Sequence, residues 1–169
     1  GRNGTIFRLL LPGTVRHTAV HIRVQGDHNV TNALAAGAVG SILGLSGRVI
    51  AQGLSRFRPA AMRSQVRVSQ GVKLIIDCYN ANPASMKAAV QLLAQTGAKR
   101  KRIAVLGDML ELGPNAAQMH EEVGGFVARQ GIDQLVACGL LGRSFAKGAK
   151  QAGLDQAHIL EVPDARAAS

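Results

Sequence analysis

The run from Leu74 to Met86, LIIDCYNANPASM, ends an apolar segment at an acid and follows it with small polar residues and a proline. A carboxylate at a strand end, here Asp77, can accept hydrogen bonds from two neighbouring hydroxyls, as the ribose of a nucleotide offers. It can equally cap a turn, and the residue types leave both readings open. Just beyond, Asn82 before Pro83 has the form of a helix N-cap and a first helical residue. A second polar group comes earlier. His28, Asn29 and Asn32 stand in the first turn of an apolar-periodic segment, and the two asparagines, three apart, share one helical face. Arg63 is isolated in a polar stretch. Cys78 and Cys138 lie far apart with no C-x-x-C, which favours two reduced thiols over a metal knuckle or a redox pair.

Two patterns of elements must position these residues. In the first, Val20, Ile22 and Val24 alternate with His21 and Arg23, the period of a half-buried strand, and IFRLLL ahead of Pro12-Gly13 is its expected antiparallel partner. Gly26 breaks the chain before a helix whose apolar face is expected at Val30, Leu34, Ala38 and Ile42. From Ser46 to Arg63 comes a short apolar segment and then RFRPAAMRSQ, polar and Pro-containing. The domain boundary is placed there, giving residues 1–62 and 63–169.

After the boundary the pattern is strand, turn, helix, repeated. VKLIID leads to a helix opened by Asn82-Pro83, with Met86, Val90 and Leu93 on one face and Gly97 beyond its end. RIAVLGD leads through MLELGPN to a helix with Met119, Val123 and Phe126 inward and Gly131 as its stop. QLVACG leads to RSFAKGAKQAG, and HILEV to PDARAAS. Apolar strands alternating with helices predict an α/β fold, a Rossmann-like open parallel sheet covered on both faces. Ligands of such sheets collect beyond the carboxyl ends of the strands, where Asp77 and then Gly107-Asp108 stand.

With 169 residues, 47% of them hydrophobic, the chain can fill one full domain core or one domain and part of another. No apolar run is long enough to cross a bilayer and the first ten residues lack a signal peptide's apolar region, so the expected location is the cytoplasm, without membrane insertion. The net charge of +10 is compatible with nucleic acid, but apart from KRKR at 99–102 the basic residues are scattered. With no Trp, one Tyr and four Phe there is no platform on which bases could stack, so small anionic ligands are the expected partners.

Taken together, GDHNVTNALAA, Arg63, DCYNANPASM and VLGDMLELG followed by His120 and EVG resemble the Mur ligases, in one order along nearly the whole chain. YNANP with GDMxELG resembles the MurF type, the branch that adds D-alanyl-D-alanine. The resemblance implies an ATP- and magnesium-dependent amide-bond ligase of peptidoglycan synthesis, a cytoplasmic monomer at full length. An acyl phosphate forms on UDP-N-acetylmuramoyl-tripeptide and the amine of D-Ala-D-Ala attacks it. Residues 1–62 then correspond to the end of the central ATPase domain and 63–169 to the Rossmann-like C-terminal domain, truncated.

Residue by residue, the resemblance gives Asn29 and Asn32 the reading of adenine, since an amide offers both a donor and an acceptor to the N6 and N7 edge of the base. His28 would flank the base or merely open the helix. Arg63 matches a catalytic arginine that reaches the phosphates, Asp77 the acid on the ribose, Tyr79 and Asn80 the segment facing the nucleotide, and Asn82 a contact to the incoming dipeptide. The chain departs from the pattern at Ala61-Met62-Arg63, where Pro-Gly-Arg is usual, at Ile76, where a second acid is common, and at Cys78, where Ser or Ala is usual. No G-x-x-x-x-G-K-[ST] occurs, so the phosphate loop and the magnesium ligands are expected in a missing part, and this piece is expected to be inactive alone. The alternative is a non-catalytic Rossmann-like nucleotide-binding or interaction module. A related ligase for folate or another peptide ranks below both.

Overall fold

A computed structural model describes residues 4–58, 62–63, 65–96, 100–164 and 166–167. The chain forms two compact units, Gly1–Ile76 and Asp77–Ser169. In the first, β1 (Thr5–Leu9) and β2 (Thr18–Ile22) pair antiparallel, with Phe7 opposite Val20. Val20, Ile22 and Val24 are buried while His21 and Arg23 face out, as the alternation predicts. Two helices follow, α1 (Asp27–Ile42) and α2 (Gly47–Arg56). Ser46 caps α2 by accepting from the Val49 N–H, so the segment expected only to be short and apolar is a ten-residue helix.

The buried face of α1 corrects the expectation from spacing. Ala33, Gly37 and Gly40 point inward, whereas Leu34 and Ile42 are exposed, Ile42 to 84%. The reason is steric. The helix is apolar nearly all round, so hydrophobicity cannot choose a face, and the side with the smallest residues approaches Leu9 and Ile50 most closely.

A hairpin ends this unit: β3 (Gln65–Ser69) pairs antiparallel with β4 (Val72–Ile76). Positive φ at both Gln70 (48°) and Gly71 (79°) makes the two-residue loop whose twist suits a hairpin. Val72–Asp77 was expected to open the parallel sheet, and this too is corrected. The partner of β4 is β3, a strand that alternates polar and apolar residues and stays mostly exposed.

In the second unit, β5 (Ile103–Leu106), β6 (Gln134–Cys138) and β7 (Ile159–Val162) form a parallel three-stranded sheet with β6 in the centre. The helices α3 (Pro83–Ala94), α4 (Ala116–Arg129) and α5 (Gly142–Gln151) supply Met86, Val90, Val123, Val127 and Phe145 to one core with Leu106, Leu135 and Ile159. Of the face expected for α4, Val123 is fully buried and Met119 and Phe126 pack at its edge. Gly124 and Gly125 form the part of α4 that meets α5. A β-carbon at Gly124 would overlap the Phe145 carbonyl oxygen, and one at Gly148 the Glu121 carbonyl oxygen, so α4 and α5 touch backbone to backbone. Gly131 ends α4 with φ 65°, as expected; Gly97, expected after α3, lies outside the described residues.

Candidate functional site

The chain turns from β2 into α1 at Gly26, which has φ 102°. A β-carbon there would sit 2.6 Å from Cε1 of His28, because that imidazole folds back over the glycine. Asn29 follows. Its Nδ2 donates to the Gln25 carbonyl oxygen at 2.8 Å and lies 3.0 Å from Nε2 of His28. Asn32, one turn further and exposed, makes no side-chain hydrogen bond to another described residue.

Asn29 and Asn32 line one pocket of about 390 Å³. Its walls are Ile22, Val24, Ala33, Ala36, Leu54 and Phe57, and Arg56 is the charged residue among those lining it. Apolar walls with a few convergent polar groups, in a volume of this size, suit a small molecule. The helix of small residues also explains the space, since Ala33 and Ala36 leave room that larger side chains would fill.

The remaining expected residues belong to other places. Arg63 is exposed in the segment before β3, directly after Met62, whose φ of 61° is left-handed. Asp77 is half-buried at the start of the second unit, with Tyr79 (64% exposed) and Asn80 beside it in the loop before α3. Asn82 is the N-cap of α3. Its Oδ1 accepts from the Ser85 N–H at 2.9 Å, while Ser85 Oγ accepts from the Asn82 N–H at 3.1 Å, closing a capping box ahead of Pro83. That cap engages the oxygen of Asn82.

At the carboxyl edge of the parallel sheet, two residues without an expected role prove structural. Asp108 follows β5, and its carboxylate accepts from the backbone N–H groups of Leu140 and Leu141 at 2.8 and 3.0 Å, tying the loop after β5 to the loop after β6. His120, wholly buried against Phe145, accepts from the Met109 N–H at 3.0 Å through Nε2 and places Nδ1 2.6 Å from the Ala116 carbonyl oxygen. It therefore holds both ends of the 109–116 loop. Burial, then the negative charges of Asp108 and Asp164, push the Cys138 thiol above its ordinary range, so this cysteine is an inert core residue.

Arg56 and Phe57 are the pocket residues that sequence reasoning missed. They sit in RFRP, where a boundary rather than a helix end was expected. The available signals were Ser46, a residue type that caps a helix start, and Pro59, which disfavours a helical residue just before it and so ends the helix near Arg56. Among the described residues, no three His, Cys, Asp or Glu side chains are grouped to hold a metal ion, and no helix is long and apolar enough to cross a membrane.

Residues 62–169 match the family described as Mur ligase, glutamate ligase domain. The UDP-N-acetylmuramoyl-tripeptide--D-alanyl-D-alanine ligase of Bacillus subtilis is 41% identical over 129 residues, 76% of this chain and 28% of that protein. The Escherichia coli ligase of the same name is 37% identical over 139 residues, 81% of this chain and 30% of that protein. Among solved structures, MurF from Acinetobacter baumannii superposes with a TM-score of 0.84 at 32% identity, over 95% of this chain and 33% of that one. MurF from Thermotoga maritima, in complex with ADP, shares the fold (TM-score 0.68, 19% identity, 98% of this chain and 43% of that one). The chain thus spans under a third of the length of the curated relatives named here.

Proposed function

The chain belongs to the Mur ligase family, and from that membership we propose that it forms part of an ATP-dependent ligase that adds D-alanyl-D-alanine to UDP-N-acetylmuramoyl-tripeptide in peptidoglycan synthesis. The carrying observation is the identity of about 40% to ligases of that name, extending across both compact units. In the reaction a carboxylate oxygen of the tripeptide attacks the terminal phosphorus of ATP and ADP leaves. The amine nitrogen of the dipeptide then attacks the acyl carbon, phosphate departs, and the nitrogen gives up a proton.

In this reading the boundary between the ATP-binding part and the Rossmann-like domain stays at residues 62 and 63, close to where the family match begins. Adenine enters the apolar pocket against Asn29 and Asn32, with His28 at its rim, and the pocket's composition fits such a ring. Asp77 accepts from the ribose hydroxyls, and Tyr79 and Asn80 face the nucleotide. Arg63 presents a permanently charged fork to the phosphates, stabilising charge that develops in transfer. The amide nitrogen of Asn82 contacts the dipeptide. The ADP bound by a ligase of the same fold supports a nucleotide here. Magnesium would supply charge neutralisation of the phosphates; among the described residues no three His, Cys, Asp or Glu side chains are grouped to hold it, its ligands are proposed to lie in another part of the enzyme, and no role here depends on it. The full-length enzyme is proposed to be a cytoplasmic monomer.

The test is nucleotide affinity in the full-length ligase that carries this segment. Asp77→Ala and Asn32→Ala should each weaken ATP by about ten- to a hundredfold, the cost of roughly 1.5–3 kcal/mol for a lost hydrogen bond to a charged or desolvated partner. Phosphate release should require both the tripeptide and D-Ala-D-Ala. Unchanged ATP affinity in both variants would remove the site assignment.

A further inference from the structure

The orientation of the Asn29 amide is decided by its neighbours. A backbone carbonyl can only accept, so the atom 2.8 Å from the Gln25 oxygen must be the amide nitrogen. The same nitrogen lies 3.0 Å from Nε2 of His28, which accepts when the imidazole carries its proton on Nδ1. An amide nitrogen has two hydrogens, and these two acceptors use both. What Asn29 has left for the pocket is its oxygen. Asn32 differs: it is exposed, its side chain makes no hydrogen bond to another described residue, and it can turn either end of its amide toward a ligand.

We propose that His28 and the Gln25 carbonyl lock Asn29 as an acceptor-only reader, so that the pocket selects a purine bearing a 6-amino group and rejects one bearing a 6-oxo group. This rests on the base-pocket reading above and adds a cause of selectivity to it. The 6-amino group of adenine donates to the Asn29 oxygen. The 6-oxo group of guanine or hypoxanthine sets its lone pairs against those of the Asn29 oxygen, and that repulsion, with the loss of the hydrogen bond, weakens its binding. His28 acts here as a positioning residue. The approach of its ring requires a residue without a β-carbon at position 26, which Gly26 supplies.

The experiment measures binding of ATP and of ITP, which replaces the 6-amino group with a 6-oxo group, to the full-length ligase by calorimetry. The wild type should bind ATP at least about tenfold tighter, as one hydrogen bond gained and one repulsion avoided imply. Asn29→Leu should weaken ATP and bring the ratio close to one. His28→Ala should narrow the ratio, and His28→Gln should restore it, since the glutamine oxygen can again accept from Asn29; a purely structural loss would not be rescued in the ratio. Equal affinity for the two nucleotides in the wild type, or a ratio unmoved by Asn29→Leu, overturns the lock. If Asn32→Ala weakens ATP while that ratio stays fixed, the pocket stands and only the lock fails. If neither asparagine variant alters ATP affinity, the pocket reading itself fails and the lock with it.

Discussion

Met62 holds a left-handed backbone (φ 61°) at the position where the Mur ligase pattern usually carries glycine. The conformation survives without the residue that suits it. An L-residue pays about 1–2 kcal/mol for this geometry, and glycine's larger freedom in the unfolded chain takes back roughly half of the relief. Met62→Gly should therefore stabilise the protein by up to about 1 kcal/mol in a denaturant melt. A loss of stability would mean that the backbone at 62 is not left-handed in solution. At this scale the candidate site was partly legible. The three-residue spacing of Asn29 and Asn32 is a local property of a helix, and both line the same pocket. Arg56 and Phe57 were hidden, because Asn29 and Asn32, the polar residues they meet in the pocket, lie far earlier in the sequence and nothing local marks the encounter.

Among elements, the contact between α4 and α5 is the tightest constraint in the second unit. Gly148→Ala would drive a methyl into the Glu121 carbonyl, and helices cannot part by that much without unpacking Phe145 and Val123. A loss of about 3 kcal/mol or more is expected, measured by chemical denaturation. Near-normal stability would show that the helices sit further apart. A second tie joins the entry of β5 to the turn before β6: Asp133 accepts from the backbone N–H of Arg102 at 2.7 Å and faces its guanidinium at 3.4 Å. The backbone hydrogen bond first, then the Arg102 side chain, hold the Asp133 carboxyl below its usual value of 3.8 despite partial desolvation. A depressed carboxyl stabilises the fold above its unfolded value, and this is lost as pH falls through the lower folded value. The stability gap between wild type and Asp133→Asn should thus be present at pH 5 and close as pH drops below about 3.8. A gap that persists unchanged into strong acid would refute the carboxylate's role. Arg102 is the last residue of KRKR, so that basic run contains an anchoring residue.

For the whole molecule, the outward side of α1 is the conspicuous feature. Leu34, Val39, Ile42 and Leu43 are 45%, 57%, 84% and 72% exposed, an apolar face of a kind that soluble surfaces rarely leave open. The isolated 169-residue chain should self-associate in size-exclusion chromatography with light scattering, and Ile42→Lys should reduce that association. A monodisperse monomer with the native residue would count against it. Legible from local pattern alone were a strand through Val20 and Ile22, the capping of α3 at Asn82-Pro83, the stop at Gly131 and the strand-helix alternation of the second unit, because period, caps and left-handed glycines are properties of a few adjacent residues. Only tertiary structure decided which side of α1 is buried, that β4 joins β3 rather than the parallel sheet, and that Asp108 and His120 serve as loop ties. In each of those cases several local choices are nearly equal in energy, and the difference comes from close packing and hydrogen bonds to residues that only the folded chain brings near.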